Sequence, residues 1–169
     1  MTAERLPPDT LLLAECDVDT YRASGPGGQK RNKTESAVRL RHRPSGLIVI
    51  AEESRSQPEN KARALRRLRK AMAVRLRRAV EGEGVPPAVL ACIDKRGRLD
   101  VGQRDARYLP AVAAVLDVFV ACSASMADTA KRLGISTGNL SSFLTEDEDV
   151  YVEANRLRAT FGLKPLRRG

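Results

Sequence analysis

The hydrophobic period of this 169-residue chain changes once, near Glu59, and that change limits the folds the chain can adopt. Before Glu59, short stretches alternate apolar and polar residues, as strands with one buried face do. After it, apolar residues recur at spacings of 3, 4 and 4, as on one face of a helix: Leu65, Leu68, Met72 and Leu76. The sequence therefore predicts an α+β chain, with a short sheet first and helices after it.

The strands of the first half can be predicted from local pattern. Residues 17–21 and 37–41 alternate, and a β-branched run at 47–50 follows a Pro-Ser-Gly turn at 44–46. The second and third strands are therefore expected to form a hairpin. Two prolines precede residues 9–15, which predicts a short helix there, capped by its first residue, Asp9.

Side chains that commonly act as nucleophiles or metal ligands are sparse. No Ser or Cys pattern surrounds His42, so we interpret it as an exposed strand residue without a catalytic role. Cys16, Cys92 and Cys122 are scattered, which argues against a disulfide framework and against zinc, and favours a reducing cytoplasm. We expect neither a metal nor an organic cofactor.

The charge of the chain points to a polyanionic partner. The formal net charge is +9 and the pI is near 10.0. Residues 1–83 carry 18 Lys and Arg against 11 Asp and Glu, whereas residues 84–169 carry 12 against 10. No apolar run reaches the roughly 18–20 residues of a membrane span, and residues 1–15 lack the features of a signal peptide. Nucleic acid is therefore favoured over membrane, with most of the contact in the first half.

The helix that begins near Glu59 is almost uniformly basic outside its apolar face. A charged helix face is usually just solvated, but such faces normally mix both signs. Side chains of like charge on one helix repel one another unless an anion screens them, so we predict contact with phosphates. The residues concerned are Lys61, Arg63, Arg66, Arg67, Arg69, Lys70, Arg75, Arg77 and Arg78.

The second half is predicted to be helical. The apolar stretch 108–122 is too short to span a bilayer and indicates a buried central helix. Residues 125–144 have helix-turn-helix spacing, because small Ala130 precedes Gly134 by four residues and apolar residues surround the turn. The second helix of this motif has no Arg or Lys. We therefore favour a packing module, or one that docks on protein or RNA, over sequence-specific DNA recognition.

The Gly27-Gly28-Gln29 tripeptide follows Gly25-Pro26, a stretch in which no regular structure is expected. Two glycines let the backbone approach a ligand without a Cβ atom, and the N–H group of Gln29 could stabilise a developing oxyanion. The Gln29 amide can also orient a water molecule. Since the tripeptide has no general base, the substrate must already be reactive, as an ester is. On the tripeptide alone, a Gly-rich surface turn would be the simpler interpretation.

The flanking residues favour a functional tripeptide over a surface turn. Residues 22–38, Arg-Ala-Ser-Gly-Pro-Gly-Gly-Gln-Lys-Arg-Asn-Lys-Thr-Glu-Ser-Ala-Val, resemble the catalytic-domain signature of class I peptide chain release factors. Residues 44–46, 55–57 and Asn60 match the same family at the right distances. The resemblance covers about residues 9–79.

The resemblance implies a short sheet packed on a helix, with a projecting Gly-Gly-Gln loop that enters the peptidyl transferase centre of the ribosome. There a water molecule would attack the ester that joins the nascent peptide to tRNA. Gly27, Gly28 and Gln29 would be the catalytic residues, and Gln29 could be methylated. Positions implied to shape the loop or contact ribosomal RNA are Arg22, Ser24, Gly25, Asn32, Lys33, Arg55, Ser56, Gln57 and Asn60. Beside the tip, the charges of Lys30 and Arg31 suit a site lined by RNA. The basic helix adds Arg66, Arg69 and Lys70.

Two departures from the family matter. Lys30-Arg31 replaces the usual His-Val after the glutamine, and only residues 1–26 precede the tripeptide, so we expect no decoding domain before it. We therefore predict a catalytic domain at 1–83, a helical module at 84–169, and codon-independent hydrolysis of peptidyl-tRNA by a monomer on stalled ribosomes. The alternatives are a ribosome- or RNA-binding protein without hydrolytic activity, and a helix-turn-helix regulator.

Overall fold

The computed structural model of the protein describes residues 5–23 and 35–169. The chain divides into two compact units, Met1–Met72 and Ala73–Gly169, called unit 1 and unit 2 below. The described residues form three strands and seven helices, which confirms the predicted α+β class. The predicted domain boundary after residue 83 stays a prediction.

Unit 1 is built around an antiparallel sheet in the order β1-β2-β3. The strands are β1 (Cys16–Tyr21), β2 (Ala37–His42) and β3 (Ile48–Ala51), and a turn joins β2 to β3 as predicted. Helix α1 (Asp9–Ala14) precedes the sheet, and helix α2 (Gln57–Arg75) follows it.

The core of unit 1 comes from one face of the sheet and one face of α2. Val38 and Leu40 of β2 are fully buried. Three of the four apolar residues predicted to line one helix face, Leu65, Leu68 and Met72, are also buried. The fourth lies beyond Arg75, where the helix ends.

The prediction that His42 is an exposed strand residue is wrong. Its side chain is only 4% exposed, with Nδ1 2.7 Å from Ser45 Oγ and Nε2 2.9 Å from Glu15 Oε2. Neutral imidazole can donate from Nε2 and accept at Nδ1, and the imidazolium can donate from both. The ring therefore has partners in either protonation state and links the β2–β3 turn to the residue after α1.

We expect His42→Ala to lower the free energy of unfolding of unit 1 by about 2 kcal/mol, through two lost hydrogen bonds and a cavity. Ser45→Ala is the matched control, since it removes only the Nδ1 partner and should cost about half as much. Denaturant unfolding of the full chain measures both. Equal stability of wild type and His42→Ala would show that the buried ring adds nothing to the fold.

Unit 2 is a helical bundle with a buried central helix, as predicted. Its helices are α3 (Pro87–Leu90), α4 (Tyr108–Ala121), α5 (Met126–Leu133), α6 (Thr137–Glu146) and α7 (Glu148–Thr160). Val112, Leu116 and Phe119 of α4 are fully buried and belong to one apolar cluster with side chains from the last three helices. None of the described helices is long and apolar enough to cross a membrane.

A buried charge interrupts the apolar surface of α4. Asp117 accepts a hydrogen bond from the backbone N–H of Arg78 at 3.0 Å, and one of its carboxylate oxygens lies 3.3 Å from Nη1 of Arg77. Arg77 also donates to the carbonyls of Ala73 and Val74, the last turn of α2. Arg77, expected from its sequence context to meet phosphate, is thus engaged within unit 2.

Within the segment 125–144, α5 and α6 are joined by a short turn, and the helix-turn-helix assignment stays a prediction. Gly134 ends α5 in the left-handed region at φ 70°, and Ile135 N–H donates to the carbonyl of Ala130 at 3.0 Å. The hydroxyls of Ser125 and Ser136 cap α5 and α6 by accepting backbone N–H groups. The turn is therefore fixed by local hydrogen bonds as well as by its apolar residues.

Two glycines in this motif should respond oppositely to the same substitution. A Cβ atom at either Gly134 or Gly138 meets nothing within 4 Å, so only backbone conformation distinguishes them. Gly134→Ala should destabilise unit 2 by about 1 kcal/mol, because φ is positive there. Gly138→Ala, inside α6, should stabilise it by roughly 0.5–1 kcal/mol. Thermal unfolding tests both signs, and a shift in the same direction for both would contradict this account.

Candidate functional site

The connection between β1 and β2 holds the tripeptide predicted to be catalytic. Tyr21 and Ala37 are paired across the two strands, so the ends of this connection lie side by side. Just inside them, Ala23 is 4% exposed and Ser36 is fully buried. Both ends of the connection are therefore anchored in the fold of unit 1.

The predicted residues between those ends lie outside the described residues, which omit 24–34. They are Ser24, Gly25, Gly27, Gly28, Gln29, Lys30, Arg31, Asn32 and Lys33. Their assignment to catalysis, loop shape or RNA contact stays a prediction.

Asn60 is the best-defined residue beside this connection. It is fully buried in the first turns of α2, and its Nδ2 donates to the carbonyls of Ser36 at 2.7 Å and Ser54 at 2.9 Å. Its Oδ1 accepts from the backbone N–H of Ser54 at 3.1 Å. One amide side chain thus joins the end of the connection, the loop after β3 and the helix.

Gln57 and Ser56 complete this arrangement. Gln57 Nε2 donates to the carbonyl of Glu35 at 2.8 Å, so two consecutive carbonyls of the connection are held by side chains of one helix end. Ser56 Oγ accepts the N–H of Glu59 at 3.4 Å, as a residue capping α2 would. We call Ser54, Ser56, Gln57 and Asn60 the amide anchor.

The amide anchor has no formal charge and holds backbone rather than a bound ligand. Buried carbonyls need donors, and an amide can supply two N–H groups without the desolvation cost of a charged side chain. The arrangement is suited to fixing where the connection leaves the sheet. It cannot transfer protons, since an amide does not titrate.

The remaining predicted residues are distributed over the surface of unit 1. Arg22 and Arg55 are exposed, and Arg66 is exposed with no hydrogen bond or ion pair to another described residue. Lys70 is half-buried.

Arg69 has partners inside unit 1. Its Nε donates to Asp9 at 2.7 Å and its Nη2 donates to the carbonyl of Pro7. Asp9 is the first residue of α1, and Pro8 occupies the N-cap position. The prediction that Asp9 caps α1 was wrong, because no side chain makes a capping hydrogen bond at this helix start. The Arg69 guanidinium ties the start of α1 to α2.

A second acidic residue occupies two more cations of the helix. Glu53 contacts Arg67 and lies 3.5 Å from Nη1 of Arg63. The hydrogen bond from Arg67 is the main reason that the pKa of Glu53 falls to about 2. Arg67 also donates to the carbonyl of Ile50 in β3. The basic face of α2 is therefore partly neutralised inside unit 1, and its exposed remainder includes Arg66.

Sequence reasoning missed the partners that make the anchor. Ser54 and the carbonyls of Glu35 and Ser36 have no local signal, since they meet Asn60 and Gln57 only after the strands pair. Within the described ranges, no group of three or more His, Cys, Asp or Glu side chains is arranged to hold a metal ion.

Comparison with known proteins finds one domain family in the first half of the chain. Residues 10–84 match the RF-1 domain. Among similar proteins, peptide chain release factor 2 of Acidithiobacillus ferrooxidans is 33% identical over 143 residues, which is 83% of this chain and 34% of that protein. Peptide chain release factor 1 of Gluconobacter oxydans is 42% identical over 90 residues, 53% of this chain and 24% of that protein. Peptide chain release factor 1 of Leptothrix cholodnii is 54% identical over 74 residues, 44% of this chain and 19% of that protein.

This chain spans about a third or less of the length of these relatives. The match to release factor 2 covers 83% of the chain and must extend beyond residue 84. The family resemblance, expected to stop near residue 79, therefore reaches into unit 2. Residues 10–84 belong to the RF-1 domain family, the family of the catalytic domain of class I peptide chain release factors.

Proposed function

We propose that this protein hydrolyses the ester bond of peptidyl-tRNA on the ribosome and does so without reading a codon. The observation that carries the proposal is an intact Gly27-Gly28-Gln29 tripeptide in an RF-1 domain. The connection that holds it is anchored at both ends, by strand pairing and by the amide anchor. The proposed partners are large-subunit ribosomal RNA and peptidyl-tRNA, and the proposed location is the cytoplasm.

The proposed reaction uses the ester's own reactivity. Water adds to the ester carbonyl, and the bond between the acyl carbon and the ribose oxygen breaks. One proton of the water ends on the ribose oxygen and the other passes to solvent, so the products are a free peptide carboxylate and a tRNA with a terminal ribose hydroxyl. The backbone N–H of Gln29 would stabilise the oxyanion that forms as water adds. Its side-chain amide would orient water, while Gly27 and Gly28 allow the close approach.

The anchor supports this proposal because it fixes one end of the connection that carries the tripeptide. Catalysis by positioned dipoles depends on geometry, because a donor displaced by about 1 Å loses much of its effect. The carbonyls of Glu35 and Ser36 are held to α2 by side-chain amides. A connection that is already fixed where it joins β2 loses less conformational entropy when it binds a substrate.

Codon independence is proposed from the elements of unit 1. Residues 9–21 form α1 and β1 of that unit. A tripeptide of the Pro-x-Thr form, which decoding factors use to recognise stop codons, does occur at 8–10. It lies at the start of α1, and its Asp9 is bonded to Arg69, so it is part of the fold of unit 1.

Release from programmed ribosomes tests the proposal. Ribosomes carrying labelled peptidyl-tRNA would be prepared on a truncated mRNA, with a sense codon in the A site, or with a stop codon in the A site. The proposal predicts release from the truncated complex by wild-type protein, with no requirement for a stop codon. Release only from the stop-codon complex would overturn codon independence. Binding to all three complexes without release would favour a non-hydrolytic ribosome-binding protein.

A further inference from the structure

A basic hairpin stands between α3 and α4 of unit 2, in a part of the chain for which the sequence indicated no function. Ile93 and Leu99 form an antiparallel bridge, and Asp94 N–H donates to the carbonyl of Arg98 at 2.8 Å. Gly97 N–H donates to the carbonyl of Asp94 at 3.0 Å, and Gly97 has φ 73°. The turn is therefore closed by backbone hydrogen bonds around a glycine that has to be left-handed.

The hairpin tip presents cations. Lys95, Arg96 and Arg98 are exposed, and among the described residues their side chains have no hydrogen-bond or ion-pair partner. The nearest acid in sequence is held by the turn itself, because the Asp94 carboxylate accepts the backbone N–H groups of Arg96 at 2.8 Å and Arg98 at 2.9 Å. Those bonds, that from Arg98 first, lower the pKa of Asp94. Exposed Asp100 follows the tip and exposed Arg104 follows in turn, so residues 94–104 carry four cations and two anions.

Other arginines of unit 2 are occupied within the fold. Arg156 pairs with Glu153 at 2.7 Å, and Arg158 donates to the carbonyl of Ala124 at 2.7 Å. Further arginines with partners are Arg77, Arg107, Arg132 and Arg168. The tip cations differ from these in making no side-chain hydrogen bond or ion pair with another described residue, although the Asp94 carboxylate interacts electrostatically with Arg96 and Arg98. Adjacent like charges repel unless an anion screens them, which favours a polyanionic ligand.

A buried amide fixes the hairpin to the helix-turn-helix motif. Asn139 Oδ1 accepts the backbone N–H of Leu99 at 2.8 Å, and its Nδ2 donates to the carbonyl of Leu99 at 3.0 Å. Asn139 lies in the first turn of α6 and is 9% exposed, so it cannot also bond a base edge. The amide of Asn139 is therefore occupied by the backbone of the hairpin. The hairpin also places cations beside α6, which contains no Lys or Arg.

We propose that the basic hairpin, together with the exposed start of α6, is a contact surface for the phosphate backbone of RNA. The choice of RNA rests on the proposed function; the phosphate contact itself rests on the hairpin. Cations that contact phosphates position a protein on nucleic acid, but such contacts carry little sequence information. Thr137 of α6 adds an exposed hydroxyl that can donate to a phosphate oxygen.

The test compares two triple variants of the full chain with equal loss of charge. The hairpin variant is Lys95→Ala, Arg96→Ala and Arg98→Ala. The control is Lys131→Ala, Lys164→Ala and Arg167→Ala, three exposed cations of unit 2 away from the hairpin in sequence. Binding of two short RNA duplexes of unrelated sequence, and of one DNA duplex, would be measured from low to physiological salt, with circular dichroism to check folding.

The hairpin variant should bind both RNA duplexes roughly tenfold or more weakly at physiological salt, and its log–log salt slope should fall by about 2–3. The control should keep the wild-type slope. Unchanged RNA affinity and slope in a folded hairpin variant would overturn the inference, as would equal losses in the control. Tighter binding of DNA than RNA would overturn the choice of RNA. None of these outcomes requires peptide release, so failure of the hydrolytic proposal would be seen separately in the release assay.

Discussion

Gly28→Ala should reduce peptide release from stalled ribosomes by about 100-fold or more while leaving the protein folded. The expected reason is geometric, because a Cβ atom at Gly28 would narrow the backbone conformations open to the tripeptide. If the N–H of Gln29 moves out of line with the oxyanion, the loss approaches that of a deleted oxyanion donor, about 100- to 1000-fold. Single-turnover release at saturating protein measures the chemical step.

The same substitution elsewhere controls for the general effect of an added methyl group. Gly84→Ala adds it at an exposed residue where nothing lies within 4 Å, and should leave release unchanged. Gln29→Ala keeps the backbone N–H and removes only the side chain, so its loss should be smaller than that of Gly28→Ala. Full release by Gly28→Ala would refute the catalytic assignment of the tripeptide.

Asn60→Asp should have the largest effect on unit 1. The substitution replaces the N–H donors to Ser36 and Ser54 with a carboxylate oxygen, which would face two carbonyls inside a buried site. Loss of both bonds and burial of a charge should lower the free energy of unfolding by roughly 3 kcal/mol. Denaturant unfolding at neutral pH measures it. The deficit should shrink as pH falls, because a protonated carboxyl regains one donor.

Asn155→Asp supplies the matched control. Asn155 is half-buried, and its Oδ1 accepts the backbone N–H of Leu166 at 2.7 Å, a role that a carboxylate retains. Little change is expected there. At temperatures where Asn60→Asp remains folded, its peptide release should also fall, since the exit of the tripeptide connection is no longer fixed. An Asn60→Asp protein as stable as wild type would show that the buried amide does not hold the connection.

The elements of the fold were predictable because they are local. Alternation in 17–21 and 37–41 marked two strands, and the spacing of Leu65, Leu68 and Met72 marked one face of α2. Gly134 marked the turn of the helix-turn-helix motif, since a left-handed residue was needed there.

What failed depended on residues distant in sequence. His42 was predicted to be exposed because its main partner, Glu15, is 27 residues away and is brought near only by pairing of β1 with β2. Asp9 was predicted to cap α1, but Arg69, 60 residues later, offered a stronger partner than a backbone N–H. Local sequence propensity carries no information about partners that are distant in sequence.

For the candidate site, the sequence likewise indicated some of the residues but not their contacts. Asn60 and Gln57 were singled out by resemblance to a family, yet neither their hydrogen bonds nor the role of Ser54 followed from the sequence. Asn139 received no assignment from the sequence, and it is buried where its amide bonds the backbone of Leu99 in the 93–99 hairpin. A side chain able either to recognise a ligand or to hold a backbone is assigned only by its surroundings.

The neutral character of the amide anchor has a kinetic consequence. The bonds that hold Glu35 and Ser36 join side-chain amides to backbone carbonyls, so ionic strength should leave this end of the connection almost untouched. Contacts between exposed cations and phosphates weaken steeply with salt. Raising the salt should therefore increase the concentration of protein needed for half-maximal release, while the rate at saturation stays constant. Affinity and turnover in this protein would then be set by separate forces and could be adjusted independently.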